Sequence, residues 1–247
     1  MRAFAARGRL HLAELKNQLI QMLPRGDRQR LLALCEPVDL QFEQVLWEQG
    51  RPARHVYFPT EAFISLVASL DDKPVLEVGM AGFEGVLGAQ LAWGVKNAPL
   101  HAIVQGPGAA WRIDANRFCG EVARSKALRH YLDLYLSVFV SQLGTSAACV
   151  RFHLIGPRLA RWLLMTQDRA RSKTFHVTHQ FLSYMLGVRR VGITAAAGLL
   201  QDHGLVTYAR GTLSVLDRQG LEAAACTCYA ADCRNYAELL STGSRGR

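Results

Sequence analysis

No stretch of this chain approaches the ~18 consecutive apolar residues that suggest a membrane-spanning helix, so no membrane partner is expected. Its start, MRAFAARGRLHLAEL, carries positive charge but no apolar core long enough for a secretory signal. Cysteine is sparse and unpatterned. Positions 35, 119, 149, 226, 228 and 233 show no disulfide-framework spacing and suit free thiols in a reducing cytoplasm. Also missing are G-x-S-x-G, a Walker loop, H-E-x-x-H and a dinucleotide-binding glycine fingerprint. We therefore nominate no catalytic residue, no metal ligand and no cofactor, and do not expect an enzyme. Internal repeats are absent, and only the tail from Ser241 to Arg247 reads as disordered.

Acidic residues are the scarcer charge, 20 Asp+Glu against 29 Lys+Arg in 247 residues. The imbalance is local: residues 1–150 hold 16 Lys+Arg against 14 Asp+Glu, a net +2, and residues 151–247 hold 13 against 6, a net +7. A positive C-terminal third is what neutralising phosphates requires. The length suffices for two domains with proper cores.

The texture of the chain changes three times. Residues 1–34 read as a tail with short amphipathic helices, broken at Pro24. Residues 35–118 alternate short apolar runs (Val45-Leu46-Trp47, Val56-Tyr57-Phe58, Ile64 to Val67, Val75 to Val78, Ala102-Ile103-Val104) with Gly, Pro and Asp turns. Such spacing predicts an antiparallel β-roll of jelly-roll type. Residues 119–150 return to helical period: Leu128, Leu132, Tyr135, Phe139 and Leu143 step by four, three, four and four, a heptad-like stripe that we assign to a dimer seam. The fold class expected is α+β, with residues 151–247 as the C-terminal domain.

That domain carries the clearest signal. Thr178 is an N-cap, Phe181, Leu182, Met185 and Leu186 follow at helical spacing, and Gly187 stops the helix. A second helix opens at Val188-Arg189-Arg190, with Ile193, Ala196, Leu199 and Leu200 as its buried stripe. Two strands then flank Ala209-Arg210-Gly211. Helix, tight turn, helix and basic β-wing are the parts of a winged helix-turn-helix that reads double-stranded DNA. Arg190 can bond guanine in bidentate fashion, with Thr194 as second reader. Thr178, His179, Gln180, Arg189 and Arg210 are assigned to phosphates.

In order, these parts resemble the Crp/Fnr family of bacterial transcription regulators over about residues 20–230. The resemblance rests on Trp47-Glu-Gln-Gly50, Val56-Tyr-Phe-Pro59, Val78-Gly79, Phe83-Glu84-Gly85-Val86-Leu87-Gly88 and Phe181 to Leu205. It implies a homodimer on a near-palindromic operator that either senses a small-molecule effector or acts without one, with RNA polymerase as a candidate further partner. Phe83, Glu84, Gly85, Leu100 and His101 would then mark the effector pocket. In cyclic-nucleotide-binding members an Arg after Pro holds the phosphate; here the run is Pro99-Leu100-His101, and leucine cannot neutralise a phosphate. Cyclic AMP is therefore not expected. Members with an Arg-Glu-x-x-x-Arg reader match only at Arg190, since Val191 and Ala195 fill the other places, so the operator should differ from a TGTGA-type half-site. An alternative reading makes Cys226, Cys228 and Cys233 a redox or metal sensor, with a fourth ligand supplied from elsewhere.

Overall fold

The computed structural model describes residues 16–69 and 76–242. Residues 70–75, with Val75 of the run named above, the start of the N-terminal tail and the last five residues lie outside them. The described residues divide into two compact units, one from 16–66, 80–139 and 236–242, the other from 67–69, 76–79 and 140–235.

The first unit opens with helices α1 (Gln18–Met22) and α2 (Arg25–Leu34). Asn17 caps α1: its Oδ1 accepts from the Ile20 N–H at 3.2 Å, and its amide donates to the carbonyls of Pro59 and Gly85 at 3.0 and 2.7 Å. One buried side chain thereby ties the N-terminus to the β-roll. The strands are β1 (Glu36–Leu40), β2 (Val45–Trp47), β3 (His55–Pro59), β4 (Phe63–Ala68), β5 (Leu76–Ala81), β6 (His101–Gly106) and β7 (Gly108–Asp114). They form two sheets, ordered β1-β7-β3 and β2-β6-β4-β5. In the first, β7 runs antiparallel to both neighbours, with Phe58 opposite Trp111 and Val38 opposite Ala110. Val56, Phe58, Ile64, Val104, Ala110 and Ile113 fill the core between them.

Helix follows strand at Asp114, whose carboxylate accepts from the Asn116 and Arg117 N–H groups and starts α3 (Ala115–Arg124). The helical region expected from 119 is broken at Ser125. That residue is extended and its Oγ accepts from the Leu128 N–H at 3.0 Å, capping the 27-residue α4 (Lys126–Phe152). One correction concerns the stripe on α4. Leu128, Leu132 and Tyr135 are 3 %, 1 % and 2 % exposed, and with Phe139 they pack into the β-roll core of their own chain. A helical period reports that a face is buried, not which molecule buries it. Leu143, last of the stripe, is half-buried in the second unit.

The second unit continues with α5 (Ile155–Ala170), β8 (Thr174–His176), α6 (His179–Met185), α7 (Arg190–Asp202), β9 (Val206–Ala209), β10 (Thr212–Val215), α8 (Arg218–Ala224) and the start of α9 (Cys228–Thr242). Its sheet has three strands, ordered β8-β10-β9 and antiparallel throughout. Leu159, Leu163, Leu182, Ile193, Leu213 and Leu221 are fully buried here. Among the described residues no helix is long and apolar enough to cross a membrane.

Candidate nucleic-acid interface

Thr178 caps α6, its Oγ1 accepting from the Phe181 N–H at 3.1 Å. Leu182, Met185 and Leu186 point inward. Gly187 then turns the chain at φ +61, in the left-handed region that side chains rarely adopt, and a β-carbon there would come 3.0 Å from Leu76 Cδ1. Arg158, buried in α5, donates to the Leu186 carbonyl and holds the end of α6 just before this turn. Burial lowers the Arg158 pKa.

Helix α7 buries Ile193, Ala196, Ala197 and Leu200 and turns Arg190, Val191, Thr194 and Ala195 outward. Leu199, expected in the buried stripe, is 59 % exposed instead. Val191, at 74 % exposure, projects from the first turn beside Arg190. Arg189 is the N-cap residue, with no side-chain bond to the helix and an exposed guanidinium. In the wing, Arg210 and Gly211 have φ of +50 and +79, the two left-handed positions of a tight hairpin, and Arg210 is exposed at the tip.

His179 lies differently from its neighbours. Its Nδ1 is 3.1 Å from Thr194 Oγ1, and its ring stacks on Tyr208 with centroids 4.5 Å apart. Thr194 Oγ1 also donates to the Arg190 carbonyl, and Tyr208 donates to the Val177 carbonyl at 2.8 Å. Burial, and then the charge of Arg190, lowers the His179 pKa, which favours the neutral ring. The imidazole thus joins α6, α7 and the wing. Thr178, Gln180, Arg189, Arg190 and Arg210 are all exposed.

The residues named for an effector pocket have different settings. Glu84 is buried and accepts from the Gly82 N–H at 3.1 Å. Gly85 sits so close to the Tyr135 hydroxyl that a β-carbon would be 2.5 Å from it. His101 Nδ1 accepts from the Gln49 N–H at 3.4 Å. Leu100, in contrast, lines a cavity of about 130 Å³ with Trp47, Leu66, Val86, Tyr135 and Phe139, and no charged side chain reaches it. The C-terminal cysteines separate as well. Cys226 and Cys228 are buried beside Cys149 and His153, whereas Cys233 is exposed and outside this group.

Residues 157–224 match the family model of the Crp-like helix-turn-helix domain. A search against curated protein sequences gives no match. Among solved structures, the chain is similar to the c-di-GMP responsive global regulator CLP of Xanthomonas campestris, at 17 % identity and a TM-score of 0.64, over 78 % of this chain and 100 % of that one. FixK2 from Bradyrhizobium japonicum aligns at 12 % identity and a TM-score of 0.63, covering 78 % of this chain and 98 % of that one. A CRP-family transcriptional regulator from Thermus thermophilus aligns at 18 % identity and a TM-score of 0.63, covering 76 % and 96 %. Residues 157–224 are thus similar to the Crp-like helix-turn-helix domain, within a chain that shares the fold of these transcription regulators.

Proposed function

We propose that the chain is a sequence-specific transcription regulator that binds double-stranded DNA as a homodimer, without catalysis. The observation that carries this reading is the outward face of α7, where Arg190, Val191, Thr194 and Ala195 face solvent between two further exposed arginines, Arg189 and Arg210. Arg190 reads guanine O6 and N7, while Val191 and Ala195 offer methyl groups to thymine. Thr194 contributes less as a reader, because its hydroxyl proton already goes to Arg190. Arg189, Gln180, Arg210 and the Thr178 hydroxyl contact phosphates; His179 positions rather than contacts.

Dimerisation uses the face of α4 opposite the stripe that the β-roll core has taken. Ser137, Ser141, Gly144 and Ala148 recur there at helical spacing and are exposed. Small side chains let a second helix approach closely. An effector, where one acts, is apolar and compact. A nucleotide exceeds a cavity of about 130 Å³, and nothing lining it neutralises a phosphate.

The decisive experiment is a selection of random duplexes with the purified chain. A two-fold-related pair of half-sites about one helical turn apart supports the reading. Weak binding, indifferent to sequence, would leave a protein-interaction module instead.

A further inference from the structure

We propose that Cys149, His153, Cys226 and Cys228 form a tetrahedral zinc site that closes the base of the helix-turn-helix domain. Their ligand atoms all lie within 4.8 Å of one another. Cys149 Sγ is 3.5 Å from Cys226 Sγ, and Cys228 Sγ is 3.5 Å from His153 Nδ1. Sulfur at about 2.3 Å and nitrogen at about 2.0–2.1 Å from a tetrahedral zinc stand roughly 3.5–3.8 Å apart. The group therefore has to contract by about 1 Å at most to hold the ion.

The local structure explains why these four meet. Cys149 and His153 are one turn apart at the end of α4, and the His153 N–H still donates to the Cys149 carbonyl at 3.1 Å, so both face the same way. Cys226 is fixed by its N–H donating to the Pro157 carbonyl at 3.4 Å, and Cys228 is the first residue of α9. All three thiols are buried. Three thiolates around a divalent ion leave one net negative charge. Arg161 supplies the compensation: its positive charge acts on each of the three cysteines, and it is itself held by Asp232 at 2.7 Å. On binding zinc, the three thiols give up their protons to solvent.

The donor set chooses the metal and its role. Three thiolates and an imidazole suit zinc rather than magnesium or calcium, and four protein ligands leave no open position for substrate. Two ligands lie just before the matched domain, 157–224, and two just after it. Between the site and the DNA-reading turn stands Arg158, which is influenced by the charges of Cys149 and Cys226 and bonded to the Leu186 carbonyl. The ion thus fixes both ends of the domain.

The test uses the full chain, purified under reductant without chelator. Elemental analysis should find one zinc per chain, and X-ray absorption at the zinc edge should show three sulfurs and one nitrogen. Cys149→Ser and Cys226→Ser should each lower the zinc content at least ~10-fold, while Cys119→Ser and Cys233→Ser retain it. The absorption spectrum of the wild-type chain keeps the test valid where a ligand variant fails to fold. Four outcomes would overturn the site: reduced wild-type protein that neither contains zinc nor takes it up, a Cys149–Cys226 disulfide in anaerobically prepared protein, acid-labile sulfide, or full zinc content in Cys226→Ser. Metal content is read without DNA, so a failure of DNA binding leaves this inference standing.

Discussion

The two units bury different charges, Glu84 and Glu121 in the first, three arginines and Asp232 in the second. In the first, the cavity beside Leu100 and Tyr135 has no charged side chain. In the second, Arg158, Arg161 and Arg169 are buried, and three thiols gather with an imidazole. The cavity of the first unit offers hydrocarbon and three aromatic side chains, Trp47, Tyr135 and Phe139. The second unit gathers its ionisable cluster at the two ends of the matched segment, 157–224.

The comparison breaks most readily at the helix that contributes to both units. Leu132→Ala should destabilise the chain by about 2–5 kcal/mol, read as a lower denaturant midpoint, because Leu132 is core. Gly144→Arg, where a side chain meets nothing within 4 Å, should leave that midpoint in place and shift the chain to monomer on sizing. An unchanged midpoint with a lost dimer for Leu132→Ala would return that residue to the subunit contact.

Next in size is Arg190→Ala, which should cost about 1–3 kcal/mol of discrimination at one guanine while the thermal midpoint holds. Unaltered selectivity in competition binding would remove Arg190 as a reader. A pH series sharpens the contrast further. Since the folded-state pKa of His179 is lowered, its stabilising contribution is complete above about pH 6.5 and is lost as pH falls through the lowered value. Wild type should thus lose more stability than His179→Gln on acidification below about pH 6.5, and parallel curves would rule the ring out as a lock. Arg210→Asn, which tolerates the left-handed backbone, should reduce the slope of log affinity against log salt by about one unit, equally on every sequence. Smallest of all, cyclic AMP should leave the unfolding midpoint where it is, whereas a bound ligand at about 100 Kd would add roughly 2.7 kcal/mol.

The helix-turn-helix was legible because each boundary has a local chemical cause: the Thr178 cap, the left-handed Gly187 and the Arg210-Gly211 turn. The strand at Thr174–His176 was not, since Phe175 is the one apolar residue in it. The Ser125 break escaped notice because the apolar spacing runs on through it while only the serine hydroxyl marks the new start. The candidate metal site was half legible. Grouping cysteines by proximity in sequence brought in Cys233, but five residues along a helix turn a side chain roughly 140° away from Cys228. The true companions, Cys149 and His153, stand more than seventy residues upstream, and only the closure of the domain brings them close.

That closure has an engineering consequence. With the Cys226 N–H on the Pro157 carbonyl, the entry and exit of the winged-helix segment sit side by side. The segment is therefore suited to transplantation as a cassette into a loop of an unrelated scaffold, or to new termini cut at the wing tip with the old ones spliced together.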